Sequence, residues 1–406
     1  MNWKPSTFDK AVESNPKVFV KKGEFVENCE MEDIEPTYRF LYPREGKIYN
    51  GSNSKFQNGD TVFARITPCL ENGKIAQIKN LKNNKGIGST EFLVFRGRNG
   101  VSDSDFVYYL CKSDFIRDTA VNSMSGASGR QRADLKAIKN IKLLLPSLIE
   151  QRQIAAVLSS YDDLIEVNNK RMKLLEETAR ELYKEWFVRM RFPGYKSTRY
   201  ESLLPEAWCV GSCYSFADVK GGGTPVTTNP AYWTGEISFF TPTDHCDSFY
   251  IMETEKKITE KGLKESSTKL FPKNSTFITA RGTVGNICLA GEEMAMNQSC
   301  FGIISHRPDD RFFTFLFTDS MVTYLKQVAN GATFDAITLN TFKNYKATIP
   351  NKELRSHFHS FVSPMFNQIE ILIQQNSELR KIRDRLLPRL ISGKLKVKIA
   401  EETPCL

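Results

Sequence analysis

Residues 150–187, EQRQIAAVLSSYDDLIEVNNKRMKLLEETARELYKEWF, contain neither glycine nor proline. Ile154, Leu158, Tyr161, Ile165, Asn168, Met172, Leu175, Ala179, Leu182 and Trp186 follow one another alternately four and three apart. This is the a/d seam of a coiled coil. Arg171, Lys173, Glu176, Glu177, Arg180 and Lys184 fall off the seam. Asn168 is its one polar residue, of the kind that fixes register at a cost in stability. Helices of globular domains average about 11–12 residues, whereas this one spans ~57 Å at about 1.5 Å per residue. A helix so long and seamed on one side needs another helix beside it.

The chain supplies one. Between Pro350 and Pro388, the residues Phe358, Val362, Met365, Ile369, Leu372, Asn376, Leu379, Ile382 and Leu386 repeat nearly the same spacing. Adding 204 to the first seam maps Ile154 to Phe358, Ile165 to Ile369, Glu166 to Glu370, Leu175 to Leu379 and Leu182 to Leu386. One segment is used twice.

The repetition continues upstream. GDTVFARIT (Gly59–Thr67) reads as a strand and turn, and STFITARGT (Ser275–Thr283) occupies the equivalent place. An offset of 216 pairs Val62 with Ile278, Ala64 with Ala280 and Arg65 with Arg281. SGASGRQRADLKAIKNIKLLLP (Ser125–Pro146) matches NGATFDAITLNTFKNYKATIP (Asn330–Pro350), with Leu135/Leu339, Lys139/Lys343, Asn140/Asn344 and Lys142/Lys346 coinciding. Loops vary in length while the frame persists. The order is a globular domain at 1–147, a long helix at 148–190, a linker and second domain at 191–350, a second helix at 351–390 and a basic tail at 391–406. If the second seam packs on the first, the helices run antiparallel. The expected fold is α+β: two similar globular α/β domains separated by a long antiparallel two-helix coiled coil, with a pseudo-twofold internal repeat. Two similar readers at a fixed distance suit a long periodic ligand, and duplex DNA is the obvious one.

A net charge of +9 permits a nucleic-acid partner without requiring one. MNWKPSTFDK has no apolar leader core, and no stretch approaches the ~18 apolar residues of a membrane span. Nine cysteines without a regular framework fit reduced thiols in a cytoplasmic protein.

LPSLIEQRQIAAVLSSYDDLIE, LYKEWFVRMRFPGY, RDRLLPRLISGKL, GDTVFARITPCLENGK, GSTEF (Gly88–Phe92) and KGGGTP…YWTGEISFFTPTD (Lys220–Asp244) resemble the specificity subunit of Type I restriction–modification systems over essentially the whole chain. The second helix departs from the family by opening with NKELRSHFHSF. The resemblance implies two domains that each read half of a split double-stranded DNA target. It also implies paired helices that space those domains and help dock two methyltransferase subunits, with motor-endonuclease subunits joining for cleavage. It implies no catalytic centre and no cofactor. A methylation-only complex would contain the same chain. The rival from another class is a repeat-built scaffold whose domains bind proteins, and salt-dependent DNA binding separates the two.

The residues show no strong sign of catalysis. NPAY (Asn229–Tyr232) lacks the second proline of the base-holding motif of amino-methyltransferases, and no F-x-G-x-G loop for a methyl donor is present. KGGGTP lacks the G-x-x-x-x-G-K-[ST] of a phosphate loop and reads as a strand-ending turn. Cys209, Cys213, His245 and Cys246 have poor spacing for zinc. His306, His357 and His359 lack a nucleophile partner and read as surface or packing residues.

Candidate DNA contacts need cations and small donors on loops, with Arg, Asn and Gln for bases. In the first half these are Arg65, Thr67, Ser89, Thr90, Arg130, Gln131 and Arg132; in the second, Arg281, Thr283, Asn297, Gln298 and Lys343. Arg65 and Arg281 equally suit internal ion pairs. Ser89, Thr90 and Glu91, and their counterparts Asn297, Gln298 and Ser299, equally suit turn caps. Lys139 and Lys343 equally suit solvent.

Overall fold

The computed structural model describes residues 3–397 apart from 128, 202, 247 and 331–336, with side chains of 328–330 also left aside. The chain divides into two compact units, residues 1–167 with 376–406, and residues 168–375. The long helices are continuous, Leu148–Tyr183 and Lys352–Ile391. Each unit therefore combines part of both.

The first unit is built on a five-stranded sheet in the order Val12–Ser14, Phe92–Gly97, Thr61–Ala64, Ile75–Ile78, Phe40–Leu41. Only its last pair is parallel. A four-stranded sheet follows the order Arg44–Ile48, Phe25–Cys29, Gly86–Gly88, Ser54–Phe56, and a ribbon joins Lys4–Thr7 to Lys142–Leu145. The second unit repeats all three. Its larger sheet runs Ala217–Gly221, Cys300–Ser305, Thr276–Thr279, Ile287–Ala290, Tyr250–Ile251, again parallel only at the last pair. Its four-stranded sheet runs Lys256–Ile258, Trp233–Phe240, Met294–Met296, Leu270–Phe271, and its ribbon joins Cys209–Gly211 to Ala347–Ile349.

Strand register corrects the repeat. Ala64 faces Phe92 and Thr279 faces Cys300; Thr61 faces Gln77 and Thr276 faces Leu289. The offset here is thus 215 rather than 216, and Arg65 corresponds to Ala280. Backbone bonds agree, since the Arg65 N–H donates to Glu91 O at 3.0 Å and the Ala280 N–H to Ser299 O at 2.7 Å. The shared Ala-Arg-x-Thr string misleads because the turn after the strand differs. Ala64 N–H reaches Lys74 O, whereas Thr279 N–H reaches Asn286 O, a shorter excursion. One residue of slip in a strand reverses the face on which every side chain stands.

Most of both seams is buried, but Tyr161 and Met365 are half-buried and Ile382 is exposed, while the neighbouring Asp162, Phe366 and Arg383 are buried. In the first unit Ile154, Ala155 and Leu158 pack with Leu390, and with the partly buried Leu386, into the core that holds Phe8, Phe63, Phe95 and Phe106. Low numbers on one helix meet high numbers on the other, so the pair is antiparallel here. In the second unit Ala179, Tyr183, Trp186 and Phe187 join Phe358, Val362, Phe366 and Ile369, with Met172, Leu175 and Leu182 packed at the margin. Ile165 and Leu372 are likewise buried and Leu379 is half-buried. The second helix runs through Pro364 and Pro388. An interior proline costs about 3 kcal/mol. Burial contributes about 1.5–3 kcal/mol for each large apolar side chain, and Val362, Phe366 and Ile369, all 0% exposed, offset that cost.

Candidate nucleic-acid interface

In the first unit the strand Thr61–Ala64 delivers Arg65 to one end of the five-stranded sheet. The SGASGRQR segment closes there as a hairpin, with Ser125 and Arg132 exchanging backbone bonds of 3.1 and 2.9 Å. It docks through the Thr67 N–H on Gln131 O at 3.0 Å and the Ala133 N–H on Arg65 O at 2.8 Å. Ser89 turns the chain into the strand Phe92–Gly97, its hydroxyl accepting from the Glu91 N–H at 3.2 Å. The structure thus brings Arg65, Thr67, Ser89, Thr90, Arg130, Gln131 and Arg132 together. Thr90 and Arg130 are exposed, and the Thr67 hydroxyl oxygen is buried without a hydrogen-bond partner among the described residues.

The strongest electrostatic feature here is one that sequence reasoning underrated. Glu91 accepts from Arg132 through Nε at 2.9 Å and Nη2 at 2.7 Å, and from Arg65 Nε at 3.0 Å. Arg65 Nη2 also reaches Thr90 O at 3.3 Å. The Arg132 hydrogen bonds, seconded by Arg65 and opposed by partial burial, hold the Glu91 carboxyl below the usual carboxylate range. The only sequence signal for this role was an acid standing in a Ser-Thr-Glu turn.

The second unit places its candidates on the matching loops. Arg281 and Thr283 are exposed on the turn after Thr276–Thr279, and Arg281 makes no ion pair among the described residues. The Asn297 side chain caps its own turn, accepting from the Ser299 N–H at 3.0 Å. Gln298, exposed beside it, accepts from the Thr224 hydroxyl. Lys343 is exposed on the short helix Leu339–Asn344, whereas Lys139 pairs with Asp9 at 3.1 Å. Residues 331–336 of the counterpart to the SGASGRQR hairpin lie outside the described residues.

Residues weighed for catalysis have structural partners. Asn229 caps the helical turn Pro230–Tyr232 by accepting from the Ala231 N–H at 3.1 Å, and the Tyr232 hydroxyl donates to Glu265 at 2.8 Å. A Cβ on Gly222 would lie 2.2 Å from Asn297 O, and one on Gly223 2.3 Å from Ser267 Oγ, so the glycines admit neighbouring chain. Cys213 is buried, Cys209 and Cys246 are exposed, and among the described residues no His, Cys, Asp and Glu side chains group as metal ligands. His306 bonds Asp218 at 3.2 Å, His357 lies against Trp186, and His359 stacks on Phe312. No described helix is long and apolar enough to cross a membrane.

A repeated mixed α/β unit, carrying polar loops at one sheet end and sharing a pair of long helices, defines a two-domain recognition protein. The chain matches the Type I restriction modification DNA specificity domain over residues 12–177 and again over 205–381, and belongs to that family. It is 27% identical over 383 residues to the Type I restriction enzyme MjaIX specificity subunit of Methanocaldococcus jannaschii, covering 89% of this chain and 84% of that protein. It is 22% identical to the HindI specificity subunit of Haemophilus influenzae, covering 93% and 94%. Its fold is similar to the crystal structure of the Type I restriction-modification S subunit from M. genitalium, with a TM-score of 0.55, 15% identity and 96% of both chains covered. DNA target recognition is the role of this family, as the sequence resemblance implied.

Proposed function

We propose that this chain selects a bipartite, asymmetric double-stranded DNA target for a Type I restriction–modification complex, each unit reading one half. One observation carries the asymmetry: three sheets recur with the same strand order, while the loops at their ends differ in charge and length. A common scaffold with unlike loops suits two unlike half-sites. The chain itself transfers no methyl group and cuts no DNA. It acts in the cytoplasm by docking two methyltransferase subunits, with motor-endonuclease subunits joining for cleavage. Leu164, Val167 and Leu174 on the first long helix and Ile371 on the second are exposed apolar residues beside the buried seam, and Ile382 is an exposed residue of the second seam itself. Such residues support docking of partner helices.

Replacing residues 1–145 by the matching domain of a relative and mapping methylated bases in cells with the methyltransferase partner tests this reading. One half-site should change and the other persist. A change in both halves would refute modular reading, and methyl transfer by the pure chain would refute its non-catalytic role.

A further inference from the structure

The corrected register sets Arg65, Glu91 and Arg132 against Ala280, Ser299 and, by sequence position, Ala336. All three members of the ion cluster are replaced together by small uncharged residues. The second unit builds the same sheet without them. The cluster is therefore not a requirement of the scaffold.

Its geometry is directional. Glu91 is the least exposed member at 20%, against 35% for the Arg65 side chain and 46% for Arg132. Each arginine bonds Glu91 or Thr90 O through Nε and Nη2, and neither Nη1 has a hydrogen-bond partner among the described residues. Two-point contact with the carboxylate fixes the plane of the Arg132 guanidinium, and Arg65 is held at Nε by Glu91 and at Nη2 by Thr90 O. One acid between two bases leaves a net positive charge on a solvent-facing edge.

We propose that Glu91 is a positioning residue for target recognition: it fixes the guanidinium groups of Arg65 and Arg132 so that their free Nη1 edges face the DNA of the first half-site. This rests on the reading above that the sheet-end loops face DNA.

The test uses the chain assembled with its methyltransferase subunits and, once the target is mapped, duplexes carrying the intact site or one scrambled half. In Glu91→Gln the charge and one acceptor are lost while the size is kept. Affinity for the intact site should fall about tenfold, the scale of one charge-assisted contact. Discrimination at the first half-site should fall with it, and discrimination at the second should stay. In an R65Q/R132Q background E91Q should have no further effect, because Glu91 acts through the arginines. Unchanged or tighter binding by E91Q, with R65Q/R132Q still weakened, overturns the positioning role and leaves the DNA-facing reading intact. Failure of E91Q to fold or assemble also overturns it, by making the cluster a scaffold element. Wild-type binding by R65Q/R132Q instead removes the DNA-facing reading itself, and the proposal with it.

Discussion

Asp162 on the first long helix and Arg383 on the second form a buried ion pair, and Tyr109 from the adjoining domain donates its hydroxyl to Asp162 at 2.5 Å. The 204-residue frame places Phe366 and Ala179 at the equivalent positions of the second unit, where Phe366 stacks on Phe312 with ring centroids 4.1 Å apart. The same buried site on the helix pair is ionic in one unit and aromatic in the other. Arg383→Ala would strand the Asp162 charge, and a loss of about 3–5 kcal/mol is expected. Replacing both partners by apolar residues should cost less. Urea unfolding followed by a probe within the first unit checks the order of the two.

A second pair of equivalents ties each domain to the start of its helix. Gln151 donates to Val101 O and Pro146 O at 3.0 and 2.9 Å and accepts from the Asp103 N–H at 2.9 Å. Arg355 donates to Pro350 O at 2.7 Å and to Asp310, 1% exposed, at 2.9 Å. Gln151→Ala leaves neutral groups unpaired and should cost about 1–3 kcal/mol. Arg355→Ala leaves a buried carboxylate and should cost about 3–5 kcal/mol. Equal losses in denaturation would contradict this account.

Lys112 gives a pH signature. Burial first, then the nearby charges of Arg383 and Arg117, depress its ammonium from the usual 10.5 to about 8, while Nζ donates to Pro36 O at 2.8 Å. Between these values the unfolded chain holds the proton and the folded one does not. Stability therefore gains a positive slope with pH from about 8 to about 10.5. That contribution should vanish in Lys112→Met, as measured by unfolding free energy across the window.

Gly222 offers a test of the second unit. Its Cβ would lie 2.2 Å from Asn297 O and 2.6 Å from Met296 O. Gly222→Ala should displace the turn carrying Asn297 and Gln298, costing about 1–3 kcal/mol as overpacking does. Binding assays of the assembled complex should show weaker discrimination at the second half-site alone.

The amino-acid sequence determined what depends on local periodicity. Seam spacing located both long helices, because burial of one helical face recurs on a 3.5-residue period that needs no knowledge of the partner. The 204-residue frame likewise paired Leu135 with Leu339 and Pro146 with Pro350, and the candidate DNA residues of the first half do share one sheet end. Only the tertiary structure decided what depends on contacts between distant residues. Strand pairing, not the Ala-Arg-x-Thr string, matched Arg65 to Ala280. Pro364 and Pro388 remain inside a helix because seam burial outweighs their local penalty. Glu91 meets Arg132 across 41 residues, and Asp162 meets Arg383 across 221. Such ion pairs leave no periodic trace in the chain, since a carboxylate and a guanidinium are recognised as partners only when folding brings them together.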